Sequence, residues 1–259
     1  MRRSLSAAPE ENKSMFRNLG AWWNSLQSDP LGTLIEIVMM IAALLLSLIL
    51  HEIGHGFVAL KCGDPTAKMM GRLTLDPRKH LDPIGAICMF FLGIGWAKPV
   101  PINPYNFKKR DRDMVLVSFA GIFVNLVLFV VSSLLFSLVI SASGNEHIYK
   151  LLYSNDQVGL YYMTGNQVLF YLSMLLWFFM TFNISLAVFN LIPVPPLDGF
   201  RLVNQIFFRG QLNLSGQTMQ IIHFGFLFIC LSGMLSNTFS RIIEFCIKHT
   251  VLLFLGGFA

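Results

Sequence analysis

Apolar residues fall into long runs separated by short polar or basic stretches. Leu34–Leu60, Met114–Ile140 and Val168–Ile192 are each long enough to cross a hydrocarbon core of about 30 Å, because roughly 20 helical residues suffice. All three are predicted to be membrane-spanning helices. Leu81–Ala97 is also apolar but contains Gly85, Gly93 and Gly95. It is flanked by Lys61, Lys68, Arg72, Arg78 and Lys79 on one side and by Lys98, Lys108, Lys109, Arg110 and Arg112 on the other. A crossing would put five basic residues on each face, against the positive-inside rule, so a re-entrant hairpin or loop is expected there.

The remaining pattern is weaker. Met15, Phe16, Leu19, Trp22, Trp23 and Leu26 recur at helical spacing and suit a short helix at the lipid boundary. After Val168–Ile192 come Pro193, Pro195 and Pro196, then an amphipathic piece over Phe200–Phe208 and apolar runs Ile221–Leu235 and Ile242–Phe258. Glu244, Lys248 and His249 interrupt the last run. The expected organisation is an N-terminal tail over 1–33, a membrane core over 34–202 and C-terminal membrane segments over 203–259. The fold class is an all-α polytopic membrane protein: a three-helix core with the re-entrant segment, plus one or two C-terminal membrane helices.

Composition agrees. Hydrophobic residues are 54 % of the 259 positions, charged residues 13 %, and the mean hydropathy is +0.62, a balance unsuited to a soluble domain. Ten of the nineteen Lys and Arg residues lie between Lys61 and Arg112, which marks a cytoplasmic surface and not a nucleic-acid site. The loop Ser141–Gln167 carries only Lys150 and is assigned to the outside. Residues 1–33 hold no apolar core of signal-peptide type, so the first span is expected to remain in the mature chain. The four cysteines form no CxxC pair, which argues against a disulfide framework or a thiolate metal site.

The candidate chemistry sits in the first span. His51-Glu52-Ile53-Gly54-His55 is an HExxH pattern, which on a helix sets two imidazoles one turn apart on one face, with a carboxylate beside them to work on water. A carboxylate at membrane depth costs about 2.5–3.5 kcal/mol on insertion scales, which favours a functional role for Glu52. A catalytic zinc takes three protein ligands. His80, His147, His223, His249 and Asp198 are candidates for the third by residue type. Local pattern alone allows Asp198 to be a helix cap after a proline-rich turn.

HEIGH, GRLTLDPRKHLDPIG, GWAKPVPINPYNF, AGIFVN and NLIPVPPLDG, in this order over roughly Leu48–Leu202, resemble the site-2 protease family, in particular small bacterial members without PDZ or CBS domains. The resemblance implies one zinc ion held by His51, His55 and Asp198, with Glu52 as general base. It implies that Asn190 stabilises the oxyanion or orients substrate, and that Gly121 and Asn125 support the site from the middle helix. Ile122 departs from the family, where proline is frequent. The implied partners are the lipid bilayer and the transmembrane helix of a membrane-protein substrate, with no nucleic acid; nothing marks an oligomer. The implied location is a bacterial cytoplasmic membrane, with the site towards the cytoplasm. A metal or solute transporter built on the same residues would favour paired broken helices in repeated halves, and only one such break is present.

Overall fold

The computed structural model describes residues 25–82, 85, 97–142 and 166–256. The chain divides into an N-terminal unit ending at Ile37 and a larger unit from Val38 onwards. In the first, a helical turn over 25–28 leads into the first long helix. Asp29 accepts the Gly32 N–H at 3.0 Å and Pro30 opens the helix, where its missing donor costs nothing.

The helices are α1 (Pro30–Cys62), the single turn α2 (Thr66–Met69), α3 (Arg110–Ala142), α4 (Gln167–Asn190), α5 (Asp198–Phe208), α6 (Gly216–Leu231) and α7 (Ser236–Gly256). Among the described residues α1, α3 and α4 are long and apolar enough to cross a membrane, so the chain is a multi-pass integral membrane protein. At 33 residues each, α1 and α3 are about 50 Å long, well beyond the hydrocarbon thickness. Their polar ends therefore reach the interface. α3 begins four residues before the predicted span: its first turn is charged, and the buried Asp113 carboxylate accepts the Lys109 N–H at 2.8 Å and pairs with Arg112. α4 stops two residues before the expected end because Pro193 disfavours helical backbone at the residue preceding it.

α3 packs most extensively on α4, and also on α5 and α7. Phe129, Phe136, Ile140, Phe170, Met174, Met180 and Ile184 form the buried seam between α3 and α4. Ile247 and Val251 of α7 complete it, so the interrupted last run is a helix packed onto this core. Ser133 and Ser137 sit in the seam with their hydroxyls bonded to Phe129 O and Ser133 O; small side chains let the helices approach while these two hydroxyls stay paired. α6 is apolar but spans only 16 residues, about 24 Å.

Leu81 and Ala97 meet in an antiparallel bridge, reinforced by the Lys98 N–H donating to His80 O at 2.7 Å. The two ends of the expected re-entrant segment are thus side by side. Its interior, over 83–84 and 86–96, lies outside the described residues, as do the expected interfacial helix except for residues 25 and 26, and loop residues 143–165. From Ala97 the chain runs extended past Pro99 and Pro101 into a 3-10 turn over Pro104–Asn106 and is tied to the end of α1 by Asp64. This buried carboxylate accepts the Asn103 N–H at 2.7 Å, Asn106 Nδ2 at 2.8 Å, and both the N–H and hydroxyl of Thr66.

Candidate metal centre

Helical periodicity on α1 brings His51 and His55 onto one face, their rings edge to face with centroids 4.7 Å apart. Both are buried, and their Nε2 atoms stand 3.1 Å from each other. Asp198, first residue of α5 and also buried, brings Oδ2 to 2.9 Å from His55 Nε2 and 3.2 Å from His51 Nε2. Asp198 reaches them because the chain after α4 does not continue as helix. Val194 N–H returns to Ile192 O and Leu197 N–H to Val194 O, and the Pro195–Pro196 peptide is cis. Gly199 permits the closure: a Cβ there would stand 2.5 Å from Leu191 O and 2.6 Å from Ile192 O.

The opposite edge of each imidazole is committed. His55 Nδ1 lies 2.7 Å from Val117 O, and a carbonyl can only accept, so this nitrogen carries the proton. His51 Nδ1 meets Asn125 Oδ1 on α3. With both protons on Nδ1, two bare Nε2 lone pairs and a carboxylate oxygen face one another at 2.9–3.2 Å. Three acceptors in mutual contact repel unless a cation lies among them. Donors sharing a tetrahedral zinc at about 2.0–2.1 Å stand about 3.3 Å apart, close to this triangle. The second-shell bonds to Nδ1 are those that orient ligating histidines.

Gly121 on α3 leaves the space beside this triangle. A Cβ at that position would fall 2.6 Å from His51 Nε2 and closer still to His55 Nε2. Any side chain larger than hydrogen would press on both Nε2 atoms and force the imidazoles to shift.

The other residues singled out from sequence are placed as follows. Glu52 points its carboxylate at the 97–104 segment, where Oε2 accepts the Val100 N–H at 2.8 Å. Pro99 and Pro101 flank Val100, so within this tripeptide Val100 supplies the single backbone donor, and Glu52 takes it. Asn190, the last residue of α4, donates from Nδ2 to Leu186 O at 3.0 Å on its own helix. His80 donates from Nε2 to Thr74 O, His249 donates from Nδ1 to Phe245 O, and His223 stacks on Phe224. His147 lies outside the described residues. Among the described residues the group able to hold a metal is His51, His55 and Asp198.

Sequence reasoning missed Val100, Asn183 and Ser47. Asn125 Nδ2 donates to Asn183 Oδ1 at 2.8 Å, and Asn183 Nδ2 donates to Ser47 Oγ at 2.9 Å. Asn183 is fully buried inside an apolar span. That is the available signal, because polar side chains at such depth act between helices or at sites.

A buried His-His-Asp triangle with a glutamate inside its HExxH helix, on a scaffold of apolar helices, defines a membrane-embedded metallopeptidase-type centre. Residues 39–233 match the sequence model of peptidase family M50, and the chain belongs to that family, in the site-2 protease type. It is 40 % identical over 167 residues to "Putative zinc metalloprotease YwhC" of Bacillus subtilis, covering 64 % of this chain and 68 % of that protein. "Putative zinc metalloprotease Rip2" of Mycobacterium tuberculosis is 30 % identical over 184 residues, covering 70 % of this chain and 61 % of the relative. Rip2 of Mycolicibacterium smegmatis is 30 % identical over 186 residues with the same coverages. The chain thus spans about two thirds of YwhC and less than two thirds of Rip2. No solved structure shows significant similarity to it.

Proposed function

We propose that this protein is an intramembrane zinc protease that hydrolyses peptide bonds in or near transmembrane segments of membrane-protein substrates. The observation that carries this reading is the triangle of His51 Nε2, His55 Nε2 and Asp198 Oδ2, with both histidine protons held on the far nitrogens. Two neutral imidazoles and one carboxylate leave a divalent ion with net charge +1. When bound, zinc supplies Lewis acidity, which acidifies water and polarises the scissile carbonyl.

The remaining steps belong to the chain. Glu52, steadied by the Val100 N–H, takes the proton from the attacking water and delivers it to the leaving amine. Asn190 has a second N–H beyond the one given to Leu186, and that hydrogen is the candidate donor to the developing oxyanion. A helical substrate hides its carbonyls in hydrogen bonds and must unwind to be cut. Leu81–Ala97 and Ala97–Pro104 are the candidate edges for the unwound strand. With prolines at 99, 101 and 104 and the Val100 N–H given to Glu52, the second edge offers mainly carbonyl acceptors. The basic residues between Lys61 and Arg112 orient the site towards the cytoplasm of a bacterial cell membrane.

The test uses purified protein in liposomes with single-span model substrates carrying glycine and proline in the span, products being mapped by mass spectrometry. Wild type should contain about one zinc per chain and cut within or beside the span. Glu52→Gln should keep the zinc and lose about 10²–10⁴-fold in rate. Normal cleavage by Glu52→Gln removes the general-base role, and an active preparation free of zinc removes the metal mechanism.

A further inference from the structure

We propose that Asn183, backed by Ser47, is a positioning residue that dictates which nitrogen of His51 carries the proton and thereby turns the Nε2 lone pair of His51 into the metal centre. The inference rests on the metal-site reading above and adds two residues to it, on α4 and α1, neither of which touches the cluster.

The assignment follows from donors and acceptors alone. Two backbone carbonyls, which can only accept, end the chain of bonds: Phe179 O lies 2.8 Å from the Asn183 amide and Ala43 O lies 2.8 Å from Ser47 Oγ. The Ser47 hydroxyl therefore spends its hydrogen on Ala43 O and turns a lone pair to Asn183. The Asn183 group meeting both Phe179 O and Ser47 Oγ must be the NH₂, which leaves Oδ1 facing Asn125. Asn125 must answer with its own NH₂, at 2.8 Å, and so presents Oδ1 to His51. An oxygen at that place admits only a protonated Nδ1. The result is a bare Nε2, the state a metal ligand requires.

The relay is buried throughout. Ser47, Asn125 and Asn183 have no accessible surface, so water cannot replace a missing partner or reverse one amide cheaply. Reversal of Asn183 would set its oxygen against Phe179 O and its nitrogen against the Asn125 nitrogen. Asn125 would then reverse as well, His51 Nδ1 would become the acceptor, and the proton would move to Nε2. There it would point at His55 Nε2 and Asp198 Oδ2, in the volume that the ion needs. His55 needs no such relay, because Val117 O fixes its proton directly.

The experiment has two readouts besides cleavage. In metal-free wild type with ¹⁵N-labelled histidine at a pH where imidazole is neutral, the His51 signals, identified by their loss in His51→Gln, should show protonated Nδ1 and bare Nε2. In Asn183→Ala the other tautomer should appear. Zinc affinity, measured with the metal alone against a chelator, should fall about 10–100-fold in Asn183→Ala. It should fall only a few-fold in Ser47→Ala, since Phe179 O still directs the amide, and not at all in Ser133→Ala, a buried hydroxyl of the same kind outside the relay. A proton on Nε2 in metal-free wild type overturns the proposal, and that spectrum decides alone if Asn183→Ala fails to fold. Wild-type zinc affinity in Asn183→Ala, or an equal loss in Ser133→Ala, also overturns it. A wild type that shows the expected tautomer yet binds no zinc upholds the relay and removes the metal reading instead.

Discussion

The two halves of the metal centre are built by different means. His51 and His55 stand on unbroken helix, where a four-residue step alone puts them on one face, and α3 supplies a hydrogen bond to each Nδ1. Asp198 comes from the other end of the core, after a proline-rich turn in which backbone bonds and the bare Gly199 set the path. The helical half is rigid by periodicity and tuned by neighbours; the loop half is placed by what the backbone cannot do. A change in the first should act through side-chain space, a change in the second through charge or chain path.

The largest effect is expected from breaking the helical half at Gly121. Gly121→Ala keeps helix propensity, indeed improves it, yet puts a methyl group against both Nε2 atoms. Zinc content should drop below detection and cleavage to background, while circular dichroism keeps the helical signal of wild type. Zinc near one per chain in this variant would mean that the ion does not lie beside Gly121. The matching change in the loop half is Asp198→Asn, which keeps shape and removes the charge. Zinc affinity should fall at least about 10-fold, a smaller loss because both imidazoles remain in place. Unchanged affinity would return Asp198 to the role of a helix cap.

The same contrast explains what could be read from sequence. The three spans were legible because length and apolarity suffice to define them, and their ends moved only where local chemistry intervened: the charged Arg110–Asp113 turn extended α3 and Pro193 shortened α4. The histidine pair was legible because its spacing is local. Asp198 was ambiguous from its surroundings and became a ligand candidate through the family motif, since its position depends on a turn that no periodicity describes. Gly121 entered only through the family motif, as a support from the middle helix; that its bare Cα faces a pair of imidazole rings depends on the packing of α3 on α1, which no local pattern describes. Asn183 and Ser47 are 136 residues apart, and nothing local says that a lone amide in one span will meet a hydroxyl in another.

Val100 sharpens the comparison, since it joins a loop to the helical half. Val100→Pro would extend the Pro99–Pro101 pattern and delete the N–H that Glu52 accepts. A hydrogen bond to a charged group is worth about 1.5–3 kcal/mol, so turnover should fall about 10–100-fold if the bond steadies the base during reaction. Zinc affinity should stay at the wild-type value, because neither ligand nor orienting residue changes. A parallel loss of zinc would show that the 97–104 segment holds the whole site and not Glu52 in particular.

The smallest effect is expected one step further out, at Asp64, which anchors that segment to the end of α1. Burial alone would raise its pKa, but the bonds from Thr66, Asn106 and the Asn103 N–H outweigh it and hold the carboxyl below its ordinary value of 3.8. A carboxyl lowered in the folded state adds stability that is fully present above that ordinary value and is lost as pH falls beneath it. Asp64→Asn would set an NH₂ against the Asn103 N–H and cost about 1–3 kcal/mol at pH 7, with turnover changed less than by Val100→Pro. The difference in thermal midpoint between wild type and Asp64→Asn should hold from pH 7 to about pH 5 and narrow as pH falls below the ordinary carboxyl value, where the unfolded chain takes up a proton that the folded Asp64 carboxyl resists. A difference independent of pH throughout that range would assign the anchor to packing at this turn and not to the carboxylate. The 97–104 segment would then be held by backbone shape, as the turn before Asp198 is at Gly199.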